Sequence, residues 1–95
     1  MSRLSNVLWE LYLHGDPRIS VIDYFQQDPL TYAKVIVNDG SHDVMVQEIT
    51  GYPFTFLGHE KEALNDTIKK ALEKVANIIT ERAIAPVIKL FDETL

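Results

Sequence analysis

The side chains best suited to acid–base or metal chemistry are three histidines, His14, His42 and His59. A metal site wants two histidines four apart on a helix, or one grouped with carboxylates at ligand spacing. These three fall at a helix end, a hairpin and a helix start, and read as solvated loop residues. His42 lies between Asp39 and Asp43, and an acid–histidine pair can serve as a general base. No serine, cysteine or lysine nucleophile stands near it with a clear partner, so solvated turn residues are the simpler reading. The chain has no cysteine, which excludes disulfides, thiolate zinc sites and cysteine nucleophiles together. Its four glycines are isolated at Gly15, Gly40, Gly51 and Gly58, so there is no phosphate-cradling loop. The expectation is a protein without catalytic residues, metal, cofactor or small-molecule substrate.

Two further sets of residues suit binding. Lys61, Lys69, Lys70 and Lys74 form a mild basic strip. Lys70 is spaced to pair with Asp66 and Lys69 with Glu73, one helical turn apart. The strip reads either as a salt-bridged solvated face or as a residual phosphate patch. The second set is apolar. The segment from Tyr52 to Leu57 brings Phe54 and Phe56 into a connection that would usually be polar, and exposed apolar patches mark interaction sites. Either phenylalanine could instead plug the open end of the core. Trp9 is of a type favoured at interfaces, or it completes the core. Near the C-terminus, Val87, Ile88, Leu90 and Phe91 need a cover, from the domain itself or from a second subunit.

These residues must be positioned by a few elements. Residues 3–14 read as a helix with Leu4, Val7, Leu8, Leu11 and Tyr12 on one face. Ser2 or Ser5 is the candidate cap, and Gly15-Asp16-Pro17 the stop. Residues 18–26 are rich in β-branched and aromatic types and predict a strand, broken at Asp28-Pro29. Residues 31–37 alternate, with Ala33, Val35 and Val37 opposed to Tyr32, Lys34 and Ile36. Asn38-Asp39-Gly40 is a hairpin signal leading to a third strand over 43–49. Residues 51–58 read as a loop or a short edge strand. Residues 60–83 predict a long helix with a stripe of Leu64, Ile68, Ala71, Leu72, Val75, Ile78 and Ile79. Pro86 ends or kinks it, and a short C-terminal helix follows.

The predicted fold is α+β: a three-stranded antiparallel sheet packed on two helices, plus that short C-terminal helix. Residues 1–95 make one domain, with the core over 3–83 and an extension over 84–95. No stretch approaches the ~18 apolar residues of a membrane span. The N-terminus also lacks the uninterrupted apolar core of a signal peptide. An intracellular, cytoplasmic protein with no membrane partner is expected. The formal net charge is −5. Residues 1–58 hold three basic and seven acidic side chains, and residues 59–95 six and seven. Such a balance has no overall pull toward phosphate.

The element order, with Leu8-Trp9-Glu10-Leu11 in the first helix and Gly58-His59-Glu60-Lys61-Glu62-Ala63-Leu64 opening the last, resembles the double-stranded-RNA-binding domain. The likeness spans about residues 3–79. It implies RNA held by shape through 2′-hydroxyls and phosphates, with lysines at the start of the last helix on phosphate. On an alignment anchored at Ala63, those three lysine positions fall on Glu60, Lys61 and Leu64, so only Lys61 remains. The family's Gly-Pro-x-His loop becomes Gln26-Gln27-Asp28-Pro29-Leu30-Thr31, which keeps the proline and lacks the histidine.

The resemblance therefore implies a non-catalytic protein-interaction or dimerisation module more than an RNA binder. Its expected contacts are Trp9, Phe54, Phe56, the edge of the third strand, Val87, Leu90 and Phe91. Its partner is another protein or a second copy of the chain, with a homodimer expected. One alternative is a weak, non-standard RNA binder using Glu10, Lys61, Lys69 and Lys70. Another is a small acidic, phage-type inhibitor that mimics nucleic acid.

Overall fold

A computed structural model describes residues 3–38 and 43–81 of the chain. The element order is α1 (Arg3–Leu13), β1 (Ile19–Gln27), β2 (Leu30–Asn38), β3 (Asp43–Gly51) and α2 (Glu60–Glu81). The sheet is antiparallel in the order β1-β2-β3. Both helices cover one of its faces, α2 over β2 and β3, and α1 against α2 and β1. The α+β fold with a three-stranded sheet on two helices is thus present. The hairpin tip 39–42 and the C-terminal extension, with its expected helix, lie outside the described residues. No helix among the described residues is long and apolar enough to cross a membrane.

The periodicities explain the layers. Leu4, Val7, Leu8 and Leu11 form the buried face of α1. In α2 the buried stripe is Ala63, Thr67, Ile68, Ala71, Leu72, Val75, Ala76 and Ile79, with Leu64 and Ile78 half-buried at its margins. Thr31, Ala33, Val35 and Val37 of β2 are buried beneath it. Ser5, a candidate cap, lies within α1 and is buried.

Helix α1 stops as a Schellman motif. Gly15 has φ +76°, its N–H donates to the Tyr12 carbonyl at 3.0 Å, and the Asp16 N–H donates to the Leu11 carbonyl at 3.0 Å. Asp16 then takes the Arg18 backbone N–H at 2.9 Å, its Nε–H at 2.9 Å and its Nη2–H at 2.6 Å. These bonds hold the Asp16 carboxyl below the usual carboxylate value and raise Arg18. The Arg18 carbonyl accepts the Asn38 N–H at 2.8 Å, tying the turn to the end of β2.

The sequence places a loop at residues 26–31, but the strands run further. Gln27 pairs with Leu30, so the connection is Asp28-Pro29 alone, with a cis bond. That geometry puts proline at the third position of a type VI turn. In β1 the register shifts between Val21 and Asp23, leaving Ile22 as a bulge. Beyond it Tyr24 lies opposite inward-facing Ala33, and Asp23 opposite outward-facing Lys34.

Candidate functional site

The connection from Tyr52 to His59 is a loop, not an added strand. It is held to the β1–β2 turn by two bonds. The Tyr52 N–H donates to the Pro29 carbonyl at 2.8 Å, and the Phe54 N–H donates to Asp28 Oδ1 at 3.2 Å. Phe54 is buried, 2% exposed. Its side chain points inward and is not a surface contact. Phe56 is the reverse, 94% exposed, with Leu57 beside it at 58%.

A turn explains the difference. The Gly58 N–H donates to the Thr55 carbonyl at 3.2 Å, closing a β-turn with Phe56 and Leu57 at its two central positions. Gly58 takes φ +72°, a value that a side chain would strain. The His59 N–H then donates to the Phe54 carbonyl at 2.8 Å, and the His59 carbonyl accepts the Ala63 N–H at 2.9 Å to begin α2. Turn apices usually carry glycine, asparagine, aspartate or serine. Here two large apolar side chains stand there, anchored on one side by a core residue and on the other by a helix start.

The ground around this apex is acidic. Glu60 and Glu62 lie in the first turn of α2, where the helix dipole favours them. His59 Nδ1 is 3.2 Å from Glu62 Oε2. Partial burial first, then the charges of Glu62 and Asp66, raise the Tyr52 phenol above its ordinary value.

The lysines do not converge. Lys61 and Lys70 are nine positions apart, roughly 180° around the helix. Lys69 Nζ lies 4.8 Å from the centroid of the Trp9 ring, a cation–π distance. Lys74 Nζ lies 2.7 Å from Glu48 Oε2. The expected pairs Lys70–Asp66 and Lys69–Glu73 are absent among the described residues. Lys69 has the Trp9 face instead, and Lys70 is exposed. Trp9 is partly buried against the core, with the Tyr12 ring 5.5 Å away. Glu10 is exposed on α1, and its carbonyl accepts from His14 Nδ1 at 2.8 Å.

The β1–β2 turn and the start of α2 are joined directly, since Gln26 Nε2 donates to the Glu60 carbonyl at 2.7 Å. Val87, Leu90 and Phe91, and His42 with Asp39, lie outside the described residues.

One surface was missed in the sequence. The sheet face away from the helices bears exposed Phe25, Leu30, Met45 and Ile49, between 52% and 60% exposed. The signal was available: β3 alternates Val44 and Val46 with Met45 and Ile49, and β2 alternates its core residues with Tyr32 and Ile36, so the outer face carries apolar side chains beside Lys34 and Gln47.

Compared with known proteins, no family model, curated protein or solved structure matches this chain.

Proposed function

We propose that this chain is a non-catalytic protein-interaction module with a double-stranded-RNA-binding-domain-like fold whose contact surfaces no longer serve RNA. The observation that carries the reading is the turn that holds Phe56 and Leu57 in solvent, at 94% and 58% exposure, between two structural anchors. The turn's backbone is held by hydrogen bonds on both sides of Phe56, so little backbone entropy is lost on docking, and aromatic anchors dominate interface energies. Nothing in the folding of the domain calls for Phe56.

The cationic side supports the same reading. A duplex binder needs several phosphate contacts on one surface, because counterion release supplies most of the non-specific affinity. Lys61 and Lys70 face opposite ways, Lys69 lies over Trp9, and Lys74 is bound to Glu48. The Asp28-Pro29 turn is two residues long and engaged with the Phe54 backbone. We place the protein in the cytoplasm, acting through protein partners that include itself.

The test is light scattering of the full chain, alone and with a duplex RNA of about 20 base pairs at low salt, a length that spans the ~16 base pairs a domain of this kind covers. The expected result is no change in mass on adding the duplex. A mass increase that falls with rising salt, and falls again on charge reversal of Lys61 and Lys70, would overturn the proposal.

A further inference from the structure

We propose that the open edge of β3 is a docking site for an extended segment of another protein, one that alternates apolar and acidic residues. The inference goes beyond the reading above, because this site lies along β3 and is separate from the Phe56 turn.

The main chain supplies the template. The Tyr52 N–H donates to the Pro29 carbonyl, and along an antiparallel ladder bonded and non-bonded pairs alternate. Counted back through the register, Thr50, Glu48, Val46 and Val44 turn their main-chain groups to β2, and Ile49, Gln47 and Met45 turn theirs away. No strand among the described residues pairs on that side, since the sheet order ends at β3. The two edges of the sheet differ. β1 carries the Ile22 bulge, which disfavours pairing. β3 is nine residues long, in unbroken register and without proline.

Glu48 shows what the edge accepts. Its Oε1 takes the Ile49 N–H at 3.0 Å, the place that the carbonyl of an added strand would fill. Its Oε2 lies 2.7 Å from Lys74 Nζ. An incoming carbonyl can therefore replace Oε1 at Ile49 while Glu48 keeps its cation. The outward N–H groups of Met45 and Gln47 have no partner among the described residues. A charge at an edge also discourages indiscriminate pairing, so the occupant must suit the side chains around it.

Those side chains select the partner. An added strand sends alternate side chains to the two faces of the sheet. On the outer face they lie beside Met45 and Ile49, 52% and 60% exposed, which suits apolar residues. On the helix side they pass the flank of α2 that the Thr50–Thr67 and Glu48–Lys74 contacts hold beside β3. Lys70 is one turn from Lys74 on that flank. It is exposed and pairs with no carboxylate among the described residues. Asp66, one turn before it, is about 40° further round toward solvent. A carboxylate on the helix side of the added strand gives Lys70 its counter-charge.

The probe is a fluorescein-labelled, capped peptide of about seven residues, alternating valine and glutamate. It is titrated with the full chain by fluorescence anisotropy up to about 1 mM. Saturable binding is expected. Methylating one alternate set of peptide nitrogens should weaken it about tenfold or more, and methylating the other set less than about twofold. Gln47→Pro removes an outward N–H, leaves the ladder to β2 intact, and should weaken binding about tenfold. Lys70→Glu should also weaken it, whereas Lys61→Glu, roughly opposite on α2, should change it less than about twofold. Circular dichroism checks folding, and the methylated peptides test the same bonds on the wild type if Gln47→Pro does not fold.

A wild type that does not bind the peptide, or that binds both methylated forms equally, overturns the inference. So does a dimer of the free chain that Gln47→Pro abolishes, since the occupant is then a second copy. Phe56→Ser separates this site from the turn. Peptide binding lost with Phe56→Ser and kept with Gln47→Pro defeats this inference and leaves the reading above standing. Duplex RNA binding alongside edge-dependent peptide binding does the opposite.

Discussion

The hydroxyl of Thr50, near the end of β3, lies 2.5 Å from the hydroxyl of Thr67, in the core-facing stripe of α2. Thr67 is fully buried and its Oγ1 donates to the Ala63 carbonyl at 2.8 Å. A hydroxyl has one hydrogen, so Thr67 must accept from Thr50. The direction of the chain is therefore fixed: Thr50 to Thr67 to Ala63. This relay fastens the sheet to the first turns of α2.

Thr67→Val keeps the volume and removes the acceptor, leaving the Thr50 hydroxyl without its partner. The expected loss is about 1 kcal/mol. A double-mutant cycle of Thr50→Val and Thr67→Val, read by urea unfolding, should give a coupling of about 1 kcal/mol. Additive losses would show that the two hydroxyls are neighbours and not partners.

The two phenylalanines of the connection should behave oppositely. Phe54→Ala opens a cavity beneath the β1–β2 turn and should cost about 3–5 kcal/mol. Phe56→Ser removes a side chain that touches almost nothing and should change stability by less than about 0.5 kcal/mol. Thermal or denaturant unfolding of both variants checks this. A large loss for Phe56→Ser would mean that the turn contributes to the core.

The Asp16–Arg18 pair gives the fold an acid sensitivity with a defined sign. Arg18 lowers the folded-state value of Asp16 below the ordinary 3.8. The stability this contributes is present above the unfolded value and is lost as pH falls through the lowered folded value. Unfolding free energies of wild type and Asp16→Asn should differ by on the order of 1 kcal/mol at about pH 5, and should converge in more acidic solution. A gap that stays constant with pH would assign the loss to the turn's neutral hydrogen bonds.

Much of the fold was legible because its elements follow simple periods. The stripe from Ile68 to Ile79 and the alternation of Ala33, Val35 and Val37 place the core without further information. Thr67 was invisible to that reading. A polar residue in an apolar stripe gives no sign of its partner until Thr50 is brought across from β3. The lysine pairs expected at one-turn spacing failed for a related reason. Spacing along α2 could not reveal that Trp9 of α1 would lie under Lys69. Of the candidate site, the segment holding Phe54 and Phe56 was found from its composition. Which of the two faces inward was decided by the Gly58 turn and by the bond from the Phe54 N–H to Asp28, both long-range or conformational facts. The outer sheet face was overlooked because alternation reports that two faces exist and not whether the second is covered.

The irregularity in β1 has a consequence for how the strand can vary in length. Val21 is aligned with Val35 and Asp23 with Lys34, and Ile22 has no residue opposite it. Ile22 is therefore supernumerary to the ladder. A chain lacking it would keep Ile19 and Val21 toward the helices, Asp23 toward Lys34 and Phe25 toward Tyr32. Loss of a residue from the regular part of any strand would exchange inside for outside along the remainder. At Ile22 alone in β1, the number of residues and the assignment of faces are uncoupled, so this strand has one position at which it can shorten without turning over.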